Sequence, residues 1–325
     1  MTSRGPKVAV FAPHPLLTVT IETEGLECQR IHFHAGGQGP WVARMAAHMG
    51  ATPVLCAFIG GESGQLLPNL LQQAIAPGEL RLVKTSTSSG CYVTDRRSGE
   101  RQLVAMMLSD PPTRHEVDEL FSLTCAEAIS CGWLVVTNPM PDSSLPLELY
   151  GDLVADAQAN GVRALVDLSS PRMDSALRGR PELAKLNDWE LAGLIRGPVS
   201  EPAQLLAAAR RLSQMGAQRV IVTRGEKPAL VLDGERALML SAPPLEHGYR
   251  EGCGDAMMGA LAATLAQGES FERALVVGAA AGAANFLRRG LGSASREVVE
   301  RLLGSVRLEP WPEQESIARA SRQAV

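Results

Sequence analysis

The stretch Gly252-Cys253-Gly254-Asp255 runs directly into a segment, Ala256 to Leu265, that is apolar almost throughout. Such a segment predicts a buried helix, because it leaves no polar face for water. The first N–H groups of a helix have no partner within the helix, and glycines before them let a ligand approach the backbone closely. The stretch therefore predicts an anion site at a helix N-terminus.

Asp255 is the charged residue at the start of this predicted helix. A carboxylate in this position can act as a helix cap. It follows a Gly-x-Gly turn, however, and the helix carries no other charge for several turns. A carboxylate beside an anion site is suited to take a proton from a hydroxyl that attacks a phosphate. We interpret Asp255 as a candidate general base and keep the cap as the alternative.

Composition and charge limit the classes of protein to consider. The 325 residues carry a net charge of −4, without the basic face that nucleic acids or anionic membranes attract. Hydrophobic residues make up 45% of the chain, enough for a substantial core, yet no apolar run reaches the roughly 18 residues that span a bilayer. The six cysteines form no Cys-x-x-Cys pair, so we expect free thiols, a cytoplasmic location and no structural zinc.

The order of apolar segments predicts an α/β fold. Short apolar runs alternate with helical segments in the second half of the chain, which is typical of a parallel sheet with helices on both faces. The predicted strands are 7–11, 52–58, 133–137, 164–168, 183–186 and 219–223. The predicted helices include 41–49, 147–158, 202–215 and 270–287. We expect one domain, 1–325, with a tail at 311–325 that frays.

A second group of strands does not fit the parallel sheet. Residues 29–35 alternate between apolar and polar, and residues 91–95 and 102–107 flank a turn, which predicts a hairpin. We expect the segments at about 18–35 and 90–107 to form a small inserted β-sheet.

The first of these segments carries two histidines on one face. His32 and His34 alternate with Ile31 and Phe33, which lie on the other face. Metal ligation is one interpretation of the histidines. Exposure to solvent or substrate is the favoured one, because no third ligand follows nearby.

Four segments, in this order, resemble signatures of the ribokinase family of carbohydrate kinases, of the phosphofructokinase-B type and nearest its 1-phosphofructokinase branch. They are similar to the A-G-G-K-G-x-N-x-A-R, N-x-x-E, nucleotide-loop and G-A-G-D motifs and lie at 35–44, 187–190, 222–225 and 252–255. The resemblance covers about residues 7–305. It implies a doubly wound, mostly parallel sheet with a small β-sheet lid over the substrate.

The resemblance also implies ATP-dependent phosphorylation of a hydroxyl, with Mg²⁺. Asp255 is the implied base, and the N–H groups of Gly252, Cys253 and Gly254 form the implied anion hole. Asn187 and Glu190 are implied to order Mg²⁺ and its waters, with two surface polar residues on a helix as the alternative. The implied ATP contacts are Lys185, Asn187, Thr223, Gly225 and Asn285.

The implied acceptor site departs from the family pattern. Its residues are Thr18, Gly36, Gly37, Gln38, Gly39, Trp41 and Tyr92. Gln38 stands where the family has a lysine, Thr18 where it has an aspartate, and the arginine of the lid is missing. Lysine and arginine pair with a sugar's phosphate, so the changes predict an acceptor other than a fructose phosphate. Trp41 is then either stacked on the acceptor or packed beneath the lid.

We therefore expect an ATP-dependent carbohydrate kinase that acts on a small sugar-like molecule and binds neither nucleic acid nor membrane. A nucleoside-type kinase and a non-catalytic, metabolite-binding descendant of the family are the alternatives. The resemblance also suggests that the chain forms a homodimer through the lid strands. Pro228 stands where the nucleotide loop usually has a second glycine, and it offers no N–H to a phosphate.

Overall fold

The structure is a computed structural model that describes residues 5–24, 28–142, 144–288 and 292–312. The strands of the larger sheet are β1 (Lys7–Phe11), β4 (Thr52–Ile59), β5 (Glu79–Lys84), β8 (Trp133–Thr137), β9 (Arg163–Asp167), β10 (Leu183–Asn187), β11 (Arg219–Arg224), β12 (Lys227–Asp233), β13 (Arg236–Ser241) and β14 (Arg307–Pro310). Those of the smaller sheet are β2 (Leu16–Glu24), β3 (Cys28–Gly36), β6 (Cys91–Asp95) and β7 (Gln102–Met107).

Ten α-helices and one short 3₁₀ helix lie within these described ranges. The α-helices are α1 (Gln38–His48), α2 (Gly61–Ile75), α3 (Arg114–Cys131), α4 (Glu148–Ala159), α5 (Arg172–Arg178), α6 (Asp188–Ile195), α7 (Pro202–Met215), α8 (Cys253–Ala266), α9 (Phe271–Phe286) and α10 (Arg296–Leu302). The 3₁₀ helix is Leu303–Ser305. None of the helices in the described part of the chain is long and apolar enough to cross a membrane.

The larger sheet has the strand order β14-β13-β12-β11-β10-β9-β8-β1-β4-β5. The strands from β11 to β5 run parallel, while β12, β13 and β14 add an antiparallel edge. Every residue of β4 and of β8 is buried. A parallel strand covered on both faces needs such a continuous apolar run, which explains why these strands were predicted from the sequence.

The core lies on both faces of this sheet. One apolar cluster joins α1, α2, α8, α9 and α10 to the sheet, and a second joins α3 to α7. The doubly wound α/β fold is thereby confirmed. The antiparallel edge, β5 and α3 were not predicted. Edge strands have one polar side, and α3 has few buried residues. Both therefore have a weaker apolar pattern than the central strands.

The N-terminus of α1 lies close against the sheet. The helix begins at Gln38, three residues before the predicted start at Trp41, because Pro40 is tolerated in a first turn that needs no intrahelical N–H donors. Gly37 precedes it with a φ of 103°. A side chain at Gly39 would collide with Ala12 near the end of β1, so this glycine permits the close approach of helix and sheet.

The smaller sheet has the order β3-β2-β6-β7 and covers one end of the larger one. On its central strand, Thr18 is paired with His34 on one side and with Tyr92 on the other. Thr18 is buried, whereas Ile31 and Phe33 on the opposite face are 60% and 53% exposed. The predicted inserted sheet is present, and its apolar face is the one that faces outward.

The predicted frayed tail began too early. Trp311 is only 2% exposed, and its backbone N–H donates to the carbonyl of Ala237 at 2.9 Å. An aromatic side chain buried to this extent ties the chain to β13. Residues 313–325 lie outside the described residues.

Candidate active site

The candidate site lies where several polar groups meet at the carboxyl ends of the parallel strands. Asp167 ends β9, Asn187 ends β10 with Lys185 two residues before it, and Asp255 lies in the first turn of α8. The carboxyl ends of parallel strands are the usual location of ligand sites in open α/β sheets. The fold therefore brings together residues from two separate sequence motifs and places Asp167 beside them.

A buried ion pair lies at the centre of the site. Lys185 Nζ donates to Asp167 Oδ2 at 2.7 Å, and both side chains are less than 10% exposed. Two charges removed from water need such a close partner, because desolvation otherwise costs several kcal/mol per ion. The sequence analysis missed Asp167. The available signal was a lone carboxylate at the end of an otherwise apolar parallel strand.

The glycine turn lies directly against this ion pair. Gly252 adopts the left-handed conformation with a φ of 72° and precedes α8. A Cβ atom built on Gly254 would lie 2.9 Å from Lys185 Nζ, so a larger residue there would push the ammonium away from the turn. The residue between them, Cys253, carries a thiol whose pKa burial raises to about 11. It therefore stays neutral beside the N–H groups of the turn.

The cap interpretation of Asp255 is wrong. The residue that precedes α8 is Gly252, no side chain caps this helix, and Asp255 is the third helical residue. The pKa of Asp255 is raised from 3.8 to about 7, chiefly by burial and in part by the negative charge of Asp167. The charge of Lys185 and a hydrogen bond from Gln38 oppose this rise. A carboxyl group with a pKa near neutrality is suited to accept and release a proton.

The side chain of Gln38 lies among the residues of the site. Its Nε2 donates to the carbonyl of Asp167 at 3.2 Å, and its Oε1 accepts from the backbone N–H of Asn138 at 2.8 Å. Asn138 in turn accepts from the buried guanidinium of Arg172 at 3.2 Å. Neither Asn138 nor Arg172 was predicted as a site residue from the sequence, because only the fold brings them together.

Asn187 and Glu190 form a capping box at the start of α6. Asn187 Oδ1 accepts from the N–H of Glu190 at 2.8 Å, and Glu190 Oε2 accepts from the N–H of Asn187 at 2.9 Å. Each carboxyl or amide group keeps a second oxygen or nitrogen for other contacts. Burial raises the pKa of Glu190, and Asp167 adds to that effect. The pair is therefore more than two solvated side chains on a helix surface.

The predicted ATP contacts occupy three places around the site. Gly225 lies in the tight turn between β11 and β12 with a φ of 62° and open space around it. Thr223, just before it, donates to the carbonyl of Leu186 at the long distance of 3.5 Å. Pro228 lies inside β12, after the turn. Around Gly225 there is thus room for a ligand that the turn could contact through its backbone.

Asn285 is fully buried and contacts the chain just before the glycine turn. Its Nδ2 donates to the carbonyl of Glu251 at 3.0 Å, and its Oδ1 has no hydrogen-bond partner in the described part of the chain. The side chain is therefore not exposed on the protein surface. In this structure the side chain supports the loop that leads into α8.

The predicted acceptor residues lie at the start of α1 and on the lid, which is the name we give to the smaller sheet. A side chain at Gly36 would collide with Thr18, so the two strands approach closely there. Tyr92 is half-buried on the same face of the lid as Thr18. Trp41 packs against Gly292, where a Cβ atom would lie 3.0 Å from the Trp41 Cβ. Packing therefore accounts for at least part of the Trp41 surface.

Basic side chains cluster near the predicted acceptor residues, on the lid and on α1. The rings of His32 and His34 stack at 5.9 Å, and burial together with the charges of His32 and Arg44 lowers the pKa of His34. Burial and the charge of Arg288 lower the pKa of Arg44. No group of three or more His, Cys, Asp or Glu residues in the described ranges is arranged to hold a metal ion.

The lid contacts the loop that leads into the glycine turn. Arg101, near the lid tip, donates to Glu251 at 3.0 Å, and the guanidinium of Arg96 lies 5.8 Å from the centre of the Tyr249 ring. Tyr249 in turn accepts from the thiol of Cys253 through its carbonyl, at 3.3 Å. The lid and the turn that carries Asp255 are therefore linked through one short loop.

Comparison with known proteins places this geometry in a family. Residues 14–297 match the model described as pfkB family carbohydrate kinase. The chain is 32% identical over 291 residues to the ATP-dependent 6-phosphofructokinase isozyme 2 of Escherichia coli K12. The matched region covers 88% of this chain and 93% of that protein.

Solved structures agree with this match. The tetrameric inhibited form of phosphofructokinase-2 from Escherichia coli has a TM-score of 0.79 and 26% identity, and the match covers 92% of this chain and 98% of that one. Ribokinase from Arabidopsis thaliana complexed with ribose and ATP has a TM-score of 0.71 at 18% identity, covering 92% of this chain and 99% of that one. The second likeness establishes the ribokinase-like fold.

The pKa of Asp255 leads to a prediction for stability. The folded chain binds this proton more tightly than the unfolded chain, so ionisation destabilises the fold as the pH rises from about 4 to about 7. Asparagine has no charge to bury. Asp255→Asn should therefore raise the melting temperature at pH 8, and the gain should shrink toward pH 4. Circular dichroism of both proteins across this range measures it, with the exposed Asp152→Asn as control; a gain that does not change with pH would contradict the prediction.

Proposed function

The chain belongs to the pfkB family of carbohydrate kinases, and from that premise we propose that it transfers a phosphoryl group from ATP to a hydroxyl of a small sugar-like molecule, with Mg²⁺ as cofactor. The observation that carries the proposal is the position of Asp255. Its carboxyl group lies in the first turn of α8, beside the glycine turn of Gly252 to Gly254 and near the ammonium of Lys185.

The proposed reaction is an in-line transfer in which the chain supplies a base and an anion site. Asp255 accepts the proton of the acceptor hydroxyl. At the same time the hydroxyl oxygen forms a bond to the γ-phosphorus of ATP, and the bond from that phosphorus to the leaving ADP oxygen breaks. The backbone N–H groups of the glycine turn donate to the equatorial oxygens of the phosphoryl group. One such donor contributes ~3–4 kcal/mol at a developing charge. Lys185 holds the turn and adds a positive charge nearby.

The charges at the site fit a divalent cation. Asp167, Glu190 and Asp255 surround Lys185, so three carboxyl groups share one ammonium. Mg²⁺ is commonly held by one or two carboxylates together with phosphate oxygens and waters, which agrees with the lack of an all-protein cage in the described residues. Glu190 is the residue proposed to hold it, with Asn187 orienting Glu190. When bound, Mg²⁺ would neutralise charge on the ATP phosphates.

The acceptor we favour is a sugar-like molecule without the phosphate of a fructose phosphate. The amide of Gln38 is bonded to protein groups and carries no charge for a phosphate. Thr18 and Tyr92 present hydroxyl groups on the inner row of the lid. A nucleoside also lacks a phosphate group and is the alternative among uncharged acceptors.

One observation favours a second candidate, a sugar phosphate like the substrate named for the Escherichia coli relative. Arg44 lies on α1 beyond Trp41, and its Nε is buried without a hydrogen-bond partner in the described part of the chain. A half-buried guanidinium that repels Arg288 and His34 would be stabilised by a bound anion. The acceptor phosphate would then lie at Arg44 instead of at the position of Gln38.

Self-association is the remaining part of the proposal. The outer face of the lid exposes large apolar side chains, namely Ile31, Phe33 and Met107. Such a patch on one sheet face is typical of an interface. A structure of the relative from Escherichia coli is of a tetrameric form, so association occurs in that enzyme. We propose a homodimer in which two lids pack through these faces.

Asp255→Asn tests the base. Turnover of ATP with an acceptor is expected to fall by ~10²-fold or more, because asparagine cannot accept the proton, while the affinity for ATP changes little. Coupled ADP assays and calorimetry measure the two quantities, with Asp152→Asn as the control. Unchanged turnover would remove Asp255 from the mechanism.

Paired acceptors distinguish the two substrate classes. ATP consumption is to be compared for D-fructose, D-ribose and adenosine and for the 6-phosphate of fructose and the 5-phosphate of ribose. A neutral acceptor is expected to give the larger kcat/KM, and Arg44→Ala should leave that value within about threefold. A larger kcat/KM for a phosphate, lost by more than ~10-fold in Arg44→Ala, would establish the second candidate.

The double substitution Ile31→Glu and Phe33→Glu tests the interface. Charges on this face would be buried without partners in a dimer, so the variant is expected to be monomeric by light scattering while the wild-type chain is dimeric. Ile129→Glu, at another exposed apolar side chain outside the lid, is the matched control. A monomeric wild type, or a variant that still dimerises, would contradict this part of the proposal.

A further inference from the structure

The side chain of Asn285, near the end of α9, reaches the backbone of the chain just before the glycine turn. Its Nδ2 donates to the carbonyl of Glu251 at 3.0 Å, and the side chain is fully buried. From this contact we infer that Asn285 is a positioning residue that orients the N–H group of Gly252 for the anion site. The inference rests on the proposed function, since it assumes that the glycine turn receives the phosphoryl group. This role differs from the nucleotide contact that the family resemblance implies.

The peptide bond between Glu251 and Gly252 links the two groups. Its atoms lie in one plane, and in a trans peptide the C=O and N–H groups point in opposite directions. The cis bonds of the described residues all precede prolines, so this peptide is trans. A donor that holds the Glu251 carbonyl toward α9 therefore aims the Gly252 N–H away from α9. That N–H has no acceptor among the described residues, which leaves it available to a ligand.

The local sequence does not fix the orientation of this peptide by itself. Gly252 has a φ of 72°, and glycine populates positive and negative φ about equally well. A rotated peptide would present its carbonyl oxygen where the N–H now lies, and that oxygen would repel a phosphoryl group. A bond from another segment is therefore needed to select one of the two orientations.

The partners of the Asn285 amide determine which way it points. A carbonyl can only accept, so the end of the amide that lies 3.0 Å from the Glu251 oxygen must be the nitrogen. The same nitrogen lies 3.8 Å from the Cys253 sulfur, while Oδ1 is buried without a partner in the described part of the chain. A buried acceptor without a partner destabilises a fold. An apolar residue such as the neighbouring Ala284 would avoid that loss, so the useful part of Asn285 is its nitrogen.

Other contacts hold the same segment against the end of α9. The N–H of Tyr249 donates to the carbonyl of Phe286 at 2.7 Å. A Cβ atom built on Gly282 would lie 3.1 Å from the carbonyl of Cys253, so the backbones approach closely there. The chain is thus held to α9 before and after the Glu251–Gly252 peptide, and Asn285 acts between these two points.

The first experiment measures the anion site without an acceptor. ADP with Mg²⁺ is titrated by calorimetry into the wild type and into Asn285→Leu, with and without aluminium fluoride as a mimic of the phosphoryl group. The fluoride is expected to tighten ADP binding in the wild type. The variant should lose ~10-fold or more of that gain, because one donor to the mimic is misdirected, while its affinity for ADP alone stays within about threefold.

A gain of equal size in both proteins would overturn the inference and leave the proposed anion site intact. No gain in either protein would refute that anion site, and the inference with it. The two failures are therefore distinguishable.

The second experiment measures turnover with whichever of the five acceptors compared above gives the highest kcat/KM. Asn285→Leu is expected to lower kcat by ~10- to 10²-fold, with the KM values for ATP and acceptor within about threefold. The reason is that the Gly252 N–H acts on charge that develops in the transition state. Full activity of the variant, or a loss confined to either KM, would overturn the inference.

Controls separate orientation from loss of packing. Thr264, also on α8 and buried, donates to the carbonyl of Ala260 at 2.8 Å, well beyond the glycine turn. Thr264→Val removes this buried bond and should keep both kcat and the fluoride gain. Asn285→Ala leaves space where leucine adds bulk, so it serves as the second variant and should show the same losses as Asn285→Leu.

A crystal structure of Asn285→Leu gives a readout that does not depend on activity. The Glu251–Gly252 peptide is expected to rotate, or to show two orientations, because the bond that selects one is gone. A peptide in the single wild-type orientation would overturn the inference.

Discussion

The buried pair of Lys185 and Asp167 is the constraint on which the site depends. Its 2.7 Å bond joins the ends of two neighbouring parallel strands in a place that excludes water. The lysine ammonium also lies against Gly254, so a side chain at that position of α8 would displace the ammonium from the turn. The same ammonium faces Asp255 and Glu190, so one positive charge lowers the cost of placing several acids together. Removing either member would leave an uncompensated charge next to the turn.

Much of this arrangement followed from the sequence where the pattern was local. The apolar segment after Gly252 to Asp255, and the continuous runs that became β1, β4 and β8, determined the fold class because burial on both faces leaves little room for polar residues. The small inserted sheet was visible from alternation between 29 and 35. The start of α1 was misplaced because a proline within the first turn looks like a helix boundary.

The parts that were missed depend on contacts between distant segments. The role of Asp167 depends on its contact with Lys185, and the role of Asn138 depends on its contact with Gln38. The role of Gln38 shows this most clearly. In the sequence it is a neutral residue in place of a lysine, whereas in the structure its amide bonds the backbone of Asp167 and Asn138, 129 and 100 positions away. Periodicity and motif spacing carry no information about such pairings.

The bridge from Arg101 to Glu251 and from Arg96 to Tyr249 has a consequence for how the lid is held in place. The Glu251 side chain is 52% exposed, so water and salt ions compete for that contact, and its worth is at most about 1 kcal/mol. Thermal motion is sufficient to break an ion pair of this strength. The ion pair alone therefore cannot hold the lid tip against the loop that leads into α8, and the fixed position of the lid depends on the packing of its strands against α1 and α2.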